Sequence, residues 1–123
     1  MHDAPSAKEL IEAVKSFLDK TAMVQLQGHA AFHARVASNA LATVLREMEL
    51  RPAAEARERD RLQALLKSHE ADVGKLNCQL CEEIQVGRVD LGTPGLLTHL
   101  KSTTIDQLSV DQPGYSGLRT AAR

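Results

Sequence analysis

The stretch that decides the fold is HAAFHARVASNALATVLREME at positions 29–49. Its apolar residues recur every three to four positions, which is the period of one face of an α-helix. They are Phe32, Val36, Ala40, Leu41, Val44, Leu45 and Met48. Alanines lie between them and allow neighbouring helices to approach closely. The sequence therefore predicts a helix over 29–49 at the centre of a helical bundle.

Two neighbouring helices are predicted from their start signals. Ser6 is followed three residues later by Glu9, which fits a capping box and predicts a helix over about 6–20. Pro52 ends the central helix and suits the first turn of another, over 52–67. Each of these helices carries apolar residues that need a packing partner, because an isolated short helix is marginally stable in water.

Two more helices follow further along the chain. One is predicted over about 70–86, with Gly87 as its C-terminal cap. Another begins at Thr93, a capping hydroxyl followed by proline, and runs to about residue 108. Residues 21–28 are mixed in character and predict a short extended connector or a loose turn.

Composition supports an all-α fold. The chain has 123 residues, of which 43% are hydrophobic and only 2% aromatic. That length suits one domain, and the shortage of aromatic and β-branched residues disfavours a sheet. We predict a single-domain bundle of four or five antiparallel helices over residues 1–110. Residues 111–123, with Pro and Gly, predict an extended or partly disordered tail.

Several function classes are disfavoured by charge and motif content. The formal net charge is -1, so the chain lacks the basic excess of a nucleic-acid binder. No apolar run is long enough to cross a bilayer and no secretory signal is recognised, so a cytoplasmic protein is expected. Glycine-rich phosphate-binding motifs and the nucleophile elbow are absent. The sequence therefore predicts no cofactor and favours a protein that is not an enzyme.

Polar residues beside the apolar face of the central helix are candidates for a ligand site. Arg35 and Asn39 lie four residues apart, with Glu47 further along the same helix and Asn77 similarly placed on the 70–86 helix. Buried polar groups must find partners, so one interpretation is a set of interhelical hydrogen bonds. The alternative is a polar pocket for an anion or a carboxylate, with Arg35 as the donor fork.

His29 and His33 have a spacing that suits metal binding. They lie four residues apart on the predicted helix, so both rings can face one way. Ala30 occupies the position where a zinc protease has glutamate, and a zinc site needs further ligands. His69, His99 or a carboxylate could supply them, although no pattern identifies which. The other interpretation is a pair of partly exposed polar rings at a helix start.

Cys78 and Cys81 form a C-x-x-C pattern inside the predicted 70–86 helix. A redox motif of this form normally follows a strand, and a zinc ribbon requires a second pair. We therefore predict small core residues, with a redox or metal role as the alternative.

Four motifs occur in order along the chain: P-x-x-x-E-L-I-E-A-V at Pro5–Val14, R-V-A-S-N-A-L at Arg35–Leu41, L-N-x-x-L-C-x-x-I at Leu76–Ile84 and Q-P-G-Y at Gln112–Tyr115. Together they resemble an uncharacterised bacterial family of small helical proteins, classed only as a domain of unknown function. Its members are often encoded beside aminoglycoside-phosphotransferase-like proteins and acyl-CoA dehydrogenases. The resemblance implies an accessory role near such enzymes and supplies no catalytic residues.

The sequence as a whole predicts a non-enzymatic helical accessory or interaction protein. It would join a second copy, or a phosphotransferase-like or acyl-CoA-metabolising enzyme, through an apolar helix face. The alternative is a small-molecule or metal-binding helical module centred on Arg35, Asn39 and the pair His29 and His33.

Overall fold

A computed structural model describes residues 3–123, and the chain is 77% helical without strands in the described part. Helix α1 (Ala7–Phe17) continues into a π-helical turn (Leu18–Ala22) and the short α2 (Met23–Gln25). The remaining helices are α3 (Gly28–Leu66), α4 (Val73–Gln85), α5 (Leu96–Asp111) and α6 (Ser116–Ala121). The predicted all-α fold is confirmed. None of the helices described in residues 3–123 combines the length and apolar character needed to span a bilayer.

The start of α1 follows from its local sequence. The Glu9 backbone N–H donates to Ser6 Oγ at 3.2 Å, and the Ser6 N–H donates to Glu9 Oε2 at 2.6 Å. The predicted capping box is therefore confirmed. The predicted connector over 21–28 is wrong over its first part, because the backbone stays helical to Gln25 through the π-helical turn. The helical path stops at Leu26, which has an extended conformation.

Pro52 does not separate two helices, which corrects the predicted boundary at this residue. Helix α3 runs through it as one helix of 39 residues. Proline removes one backbone hydrogen bond and crowds the carbonyl four residues earlier. Because Pro52 is exposed, water can reach the carbonyl that loses its partner. The residues around Pro52 also favour a helix. Alanines follow it directly, and an ion pair joins Arg51 Nε to Glu55 Oε2 at 3.6 Å across this turn.

The chain divides into two compact units, with the boundary between Glu49 and Leu50. The N-terminal unit extends to Glu49. Its buried residues are small: Ala22, Ala34 and Ser38. Ser38 Oγ donates to Asp19 Oδ1. Asp19 precedes the start of α3, and Ser38 follows that start at nearly the same distance along the chain. The contact means that the chain folds back on itself in a helical hairpin.

The C-terminal unit begins at Leu50 and has an apolar core. The core residues come from the end of α3, from α4, from the following loop and from α5: Leu62, Leu76, Leu80, Val89 and Leu96. Leu62 and Leu76 are completely buried. Asp72 caps α4 by accepting from the Lys75 N–H at 2.9 Å. The predicted cap at Gly87 is confirmed by its φ of 79°, a left-handed conformation that glycine adopts without strain.

The start of α5 and the end of the chain differ from the predictions. Gly95, with φ of 92°, precedes the first residue of α5, whereas Thr93 was expected to cap it. The Thr93 hydroxyl instead accepts from the Asp90 N–H at 2.9 Å and stabilises the loop. Residues Ser116–Ala121 form α6, which contacts α5, where an extended tail was expected. The turn at Gln112, whose carbonyl accepts from the Tyr115 N–H, allows this return.

Candidate functional site

The predicted polar residues of α3 lie on its surface in the N-terminal unit. Arg35 and Asn39 are both exposed and lie one helical turn apart. Glu47 is half-buried. It follows Arg35 by twelve residues, which corresponds to about 18 Å along a helix. Glu47 is therefore too far along the axis to hold one small ligand together with Arg35.

His29 and His33 are exposed in the first turns of α3. The His33 ring lies edge-on to Phe32, with 5.7 Å between ring centroids. Within residues 3–123, no group of three or more His, Cys, Asp or Glu side chains is placed to hold a metal ion. The histidine pair thus has no further ligands from the described part of the chain, and its metal binding stays a prediction.

Asn77 belongs to the C-terminal unit and is half-buried on α4. Its Nδ2 donates to Glu58 Oε1 of α3 at 2.9 Å. An interhelical hydrogen bond of this kind is one of the two interpretations that the sequence offered for these polar residues. The bond joins α3 to α4 beside the core residue Leu76 and uses one side of the Glu58 carboxylate.

A second polar cluster, between α3 and α5, was not identified from the sequence. His99 is only 3% exposed, and its Nδ1 accepts a long hydrogen bond of 3.4 Å from Arg61 Nε. Arg61 Nη2 also donates to Thr103 Oγ1 at 3.3 Å. Asp106 Oδ1 lies 2.8 Å from Arg57 Nη2, and Asp106 Oδ2 lies 3.8 Å from Arg61 Nη2. One face of α5 thus offers three polar groups to two arginines of α3.

The electrostatics of this second cluster favour a neutral His99. Burial lowers the pKa of its imidazole below the usual range, and the Arg61 guanidinium lowers that pKa further, whereas Glu58 opposes the shift. In the described residues, every buried side-chain nitrogen or oxygen has a hydrogen-bond partner. The cluster therefore joins helices and leaves none of its fully buried side-chain polar atoms unpaired.

The sequence contained a signal for this cluster. Arg57 and Arg61, within the charged run EARERDR at 55–61, lie one turn apart on α3. His99, Thr103 and Asp106 have the spacing of one face of α5. Two matching polar stripes are typical of facing helices, but the sequence alone does not show which helices meet.

The cysteine prediction is wrong. Cys78 and Cys81 are free thiols and both are exposed, whereas small core residues were expected. Helix α4 buries Leu76 and Leu80, and the two cysteines lie away from that face. Packing in the core therefore does not explain why two cysteines occur in this C-x-x-C pattern.

The N-terminal unit also exposes many large apolar side chains. On α1, Leu10, Val14 and Phe17 lie on one face and are each more than half exposed, at 54%, 54% and 59%. On α3 the exposed set with a spacing of four residues is Phe32, Val36, Ala40, Val44 and Met48. We call this second set the apolar ridge. Contiguous apolar surface of this kind is typical of protein interaction sites.

Comparisons with known proteins place the chain in a family without assigning it an activity. Residues 24–115 match DUF6285, a domain of unknown function. The matched range includes the motifs at Arg35–Leu41, Leu76–Ile84 and Gln112–Tyr115, whereas Pro5–Val14 lies before it. No curated protein and no solved structure matches the chain.

Proposed function

The chain belongs to the DUF6285 family, a domain of unknown function. Because the family carries no assigned activity, we propose a function from the surface of the chain itself. The protein is a non-enzymatic helical interaction protein. Its N-terminal unit binds a second copy of the chain through the apolar ridge of α3 and the exposed face of α1. We also propose that this occurs in the cytoplasm, as the sequence predicts.

The observation that carries the proposal is that residues 3–49 of the N-terminal unit fully bury only small side chains and expose most of the large apolar ones. Among residues 3–49, the buried side chains are those of Ala22, Ala34 and Ser38, and none is a large apolar residue. Nine large apolar residues in the same range are exposed: Leu10, Val14, Phe17, Val24, Leu26, Phe32, Val36, Val44 and Met48. A unit of this size needs a buried apolar core or a binding partner to be stable.

The spacing of the apolar ridge favours a second copy as the partner. Residues four apart form a ridge that inclines across a helix, and two such ridges interdigitate at the commonest helix crossing angle, about -50°. The ridge can therefore pack against its own equivalent in a two-fold dimer. Ala40 lies at its middle, where a small side chain lets two helices approach closely.

Charge also suits self-association. Residues 3–49 contain five basic and six acidic side chains, so two copies of the N-terminal unit repel each other little. Arg35 and Asn39 each precede a ridge residue and are exposed, which suits the polar rim of an interface. A standard interface uses about twenty residues from each partner. The exposed faces of α1 and α3 are long enough to supply them.

The other occupants that the sequence suggested are outcomes of the same test. A phosphotransferase-like or acyl-CoA-metabolising enzyme could cover the ridge, which would make the protein an accessory subunit. A small-molecule module around Arg35 and Asn39 requires ligand binding that survives when the ridge is disrupted.

The test is the molar mass in solution of the wild type and of Ala40→Glu, measured by size-exclusion chromatography with light scattering over a range of concentrations. We expect the wild type to have twice the chain mass of 13.4 kDa. Ala40→Glu should be monomeric, because it places a charge at the centre of each ridge. Ala40 is exposed, so this change should leave the fold of the single chain intact.

Ala53→Glu is the matched control, since Ala53 is an exposed alanine of the same helix outside the ridge. It should remain dimeric. A wild type that is monomeric at every concentration contradicts the second copy as the occupant. If that monomer forms a stable complex with a purified candidate enzyme, and Ala40→Glu abolishes the complex, the enzyme is the partner.

A further inference from the structure

We propose that Cys78 and Cys81 form a reversible dithiol–disulfide site on the solvent face of α4. The site is independent of the proposed dimer, because both residues belong to the C-terminal unit. Its substrate class is a low-molecular-weight disulfide, and its product is a disulfide within one chain.

The first argument is the placement of the two thiols. Helix α4 has a clear inner face, with Leu76 fully buried and Leu80 only 4% exposed. Cys78 and Cys81 lie outside that face, as do the exposed Lys75 and Glu82. Free cysteine is one of the most frequently buried residue types. Two of them together on a solvent face are explained by reactivity better than by packing.

The second argument is their spacing. Residues three apart in an α-helix have Cα atoms about 5 Å apart, which is within the range that a disulfide bridges. Their Cβ atoms are about 5–6 Å apart, whereas a disulfide needs about 3.5–4.5 Å. The bond can therefore form only if this turn of α4 tightens. A strained, exposed disulfide is readily reduced, so the spacing favours a reversible bond over a permanent one.

A metal site is the less favourable use of the same pair. The two sulfurs provide two ligands, and a structural zinc site takes four. Within residues 3–123 no third His, Cys, Asp or Glu side chain joins them in a group able to hold a metal. The pair is therefore suited to two-electron thiol chemistry.

The reaction with oxidised glutathione balances in two steps. The thiolate of one cysteine attacks a sulfur of oxidised glutathione, which forms a mixed disulfide and releases one glutathione thiolate. The thiolate of the second cysteine then attacks the protein sulfur of that mixed disulfide. The Cys78–Cys81 bond forms, and the second glutathione thiolate leaves. Two electrons pass from the protein to oxidised glutathione, and the two thiol protons pass to the released glutathione or to solvent.

The test uses the full chain, first reduced and then equilibrated in glutathione buffers of increasing oxidised fraction. Free thiols are blocked by alkylation and the intact mass is measured. We expect the wild type to lose the mass of two hydrogen atoms and to take up no alkylating reagent. Reduced glutathione in excess should restore two alkylated thiols.

The variants Cys78→Ser and Cys81→Ser provide the control, and both replace exposed side chains. Each should stop at the mixed disulfide and gain the mass of one bound glutathione. The proposal is overturned if the wild type instead carries two glutathiones or forms a disulfide between chains. It is also overturned if both thiols remain reduced in a buffer that converts the single variants to mixed disulfides.

Discussion

His99 shows how much the surroundings of one residue decide its chemistry. It is one of several histidines in the sequence, but it is buried between Arg61 of α3 and the body of α5. The arginine can donate to Nδ1 only while that nitrogen carries no proton. Protonation would remove this hydrogen bond and place two cations side by side. Asp106, Glu58 and Arg57 complete the charged surroundings.

We predict that His99 makes the folded state less stable as the pH falls. In the unfolded chain the imidazole has a pKa of about 6.5, and burial and Arg61 lower that pKa in the folded chain. Between the two values the unfolded chain binds a proton that the folded chain does not bind. The free energy of unfolding therefore decreases as the pH falls through and below 6.5. Urea unfolding at pH 7.5, 6.5 and 5.5 measures this dependence.

His99→Asn is the variant that tests the assignment. The asparagine oxygen can accept from Arg61 but does not titrate, so the change of stability between pH 7.5 and 5.5 should be smaller than in the wild type. His69→Asn replaces an exposed histidine and should keep the pH dependence of the wild type. If His99→Asn and the wild type lose stability equally over this range, the imidazole is not responsible.

Helix α3 shows that an element can continue through a residue that usually ends one. Pro52 lies inside it, and the boundary between the two compact units lies between Glu49 and Leu50, close to this proline. Strong helix formers on both sides offset the missing hydrogen bond. The π-helical turn at Leu18–Ala22 is a second local departure, and it contains Asp19, which accepts from Ser38.

We predict that Pro52→Ala raises the stability of the protein by about 1–3 kcal/mol. Alanine restores the backbone N–H to the Met48 carbonyl and removes the crowding by the ring. The measurement is the midpoint of urea unfolding, followed by helical circular dichroism. Pro94→Ala, outside the helices, is the control and should lower stability by about 0.4–1 kcal/mol through greater freedom of the unfolded chain. A lower midpoint for Pro52→Ala would mean that the proline stabilises this site.

At the scale of the whole molecule, the two units differ in how they are stabilised. The C-terminal unit has an apolar core around Leu62 and Leu76, and the interhelical polar contacts of Asn77 and His99 supplement it. In residues 3–49, the N-terminal unit fully buries only small residues and exposes most of its large apolar ones. Local opening is expected to be easiest where few apolar contacts are buried.

We predict that amide hydrogen exchange distinguishes the two units. At low protein concentration the amides of α1 should exchange much faster than those of α4, because α1 contributes no buried side chain. At high concentration the protection of α1 should increase if a second copy covers it, whereas that of α4 should not change. Exchange followed by mass spectrometry at two concentrations measures both. Equal protection of α1 and α4 at the lowest concentration would contradict the difference in packing.

The sequence by itself determined the helical class and several helix ends, because these depend on residues that are close along the chain. Ser6 with Glu9, and Gly87 after α4, are such local signals, and both are confirmed. The partnership of Asn77 with a facing helix was also anticipated as one interpretation. The predicted site around Arg35 and Asn39 stays a prediction, since exposure does not show what these residues bind.

Only the tertiary structure decided which helix faces meet and which remain exposed. Arg61 and His99 are 38 residues apart, and their contact depends on how α3 and α5 pack. The exposure of Cys78 and Cys81 likewise depends on which side of α4 covers the core. Pro52 stays within a helix because it is exposed and strong helix formers flank it. Periodicity identifies a helix, but the packing of one helix against another is a property of distant parts of the chain.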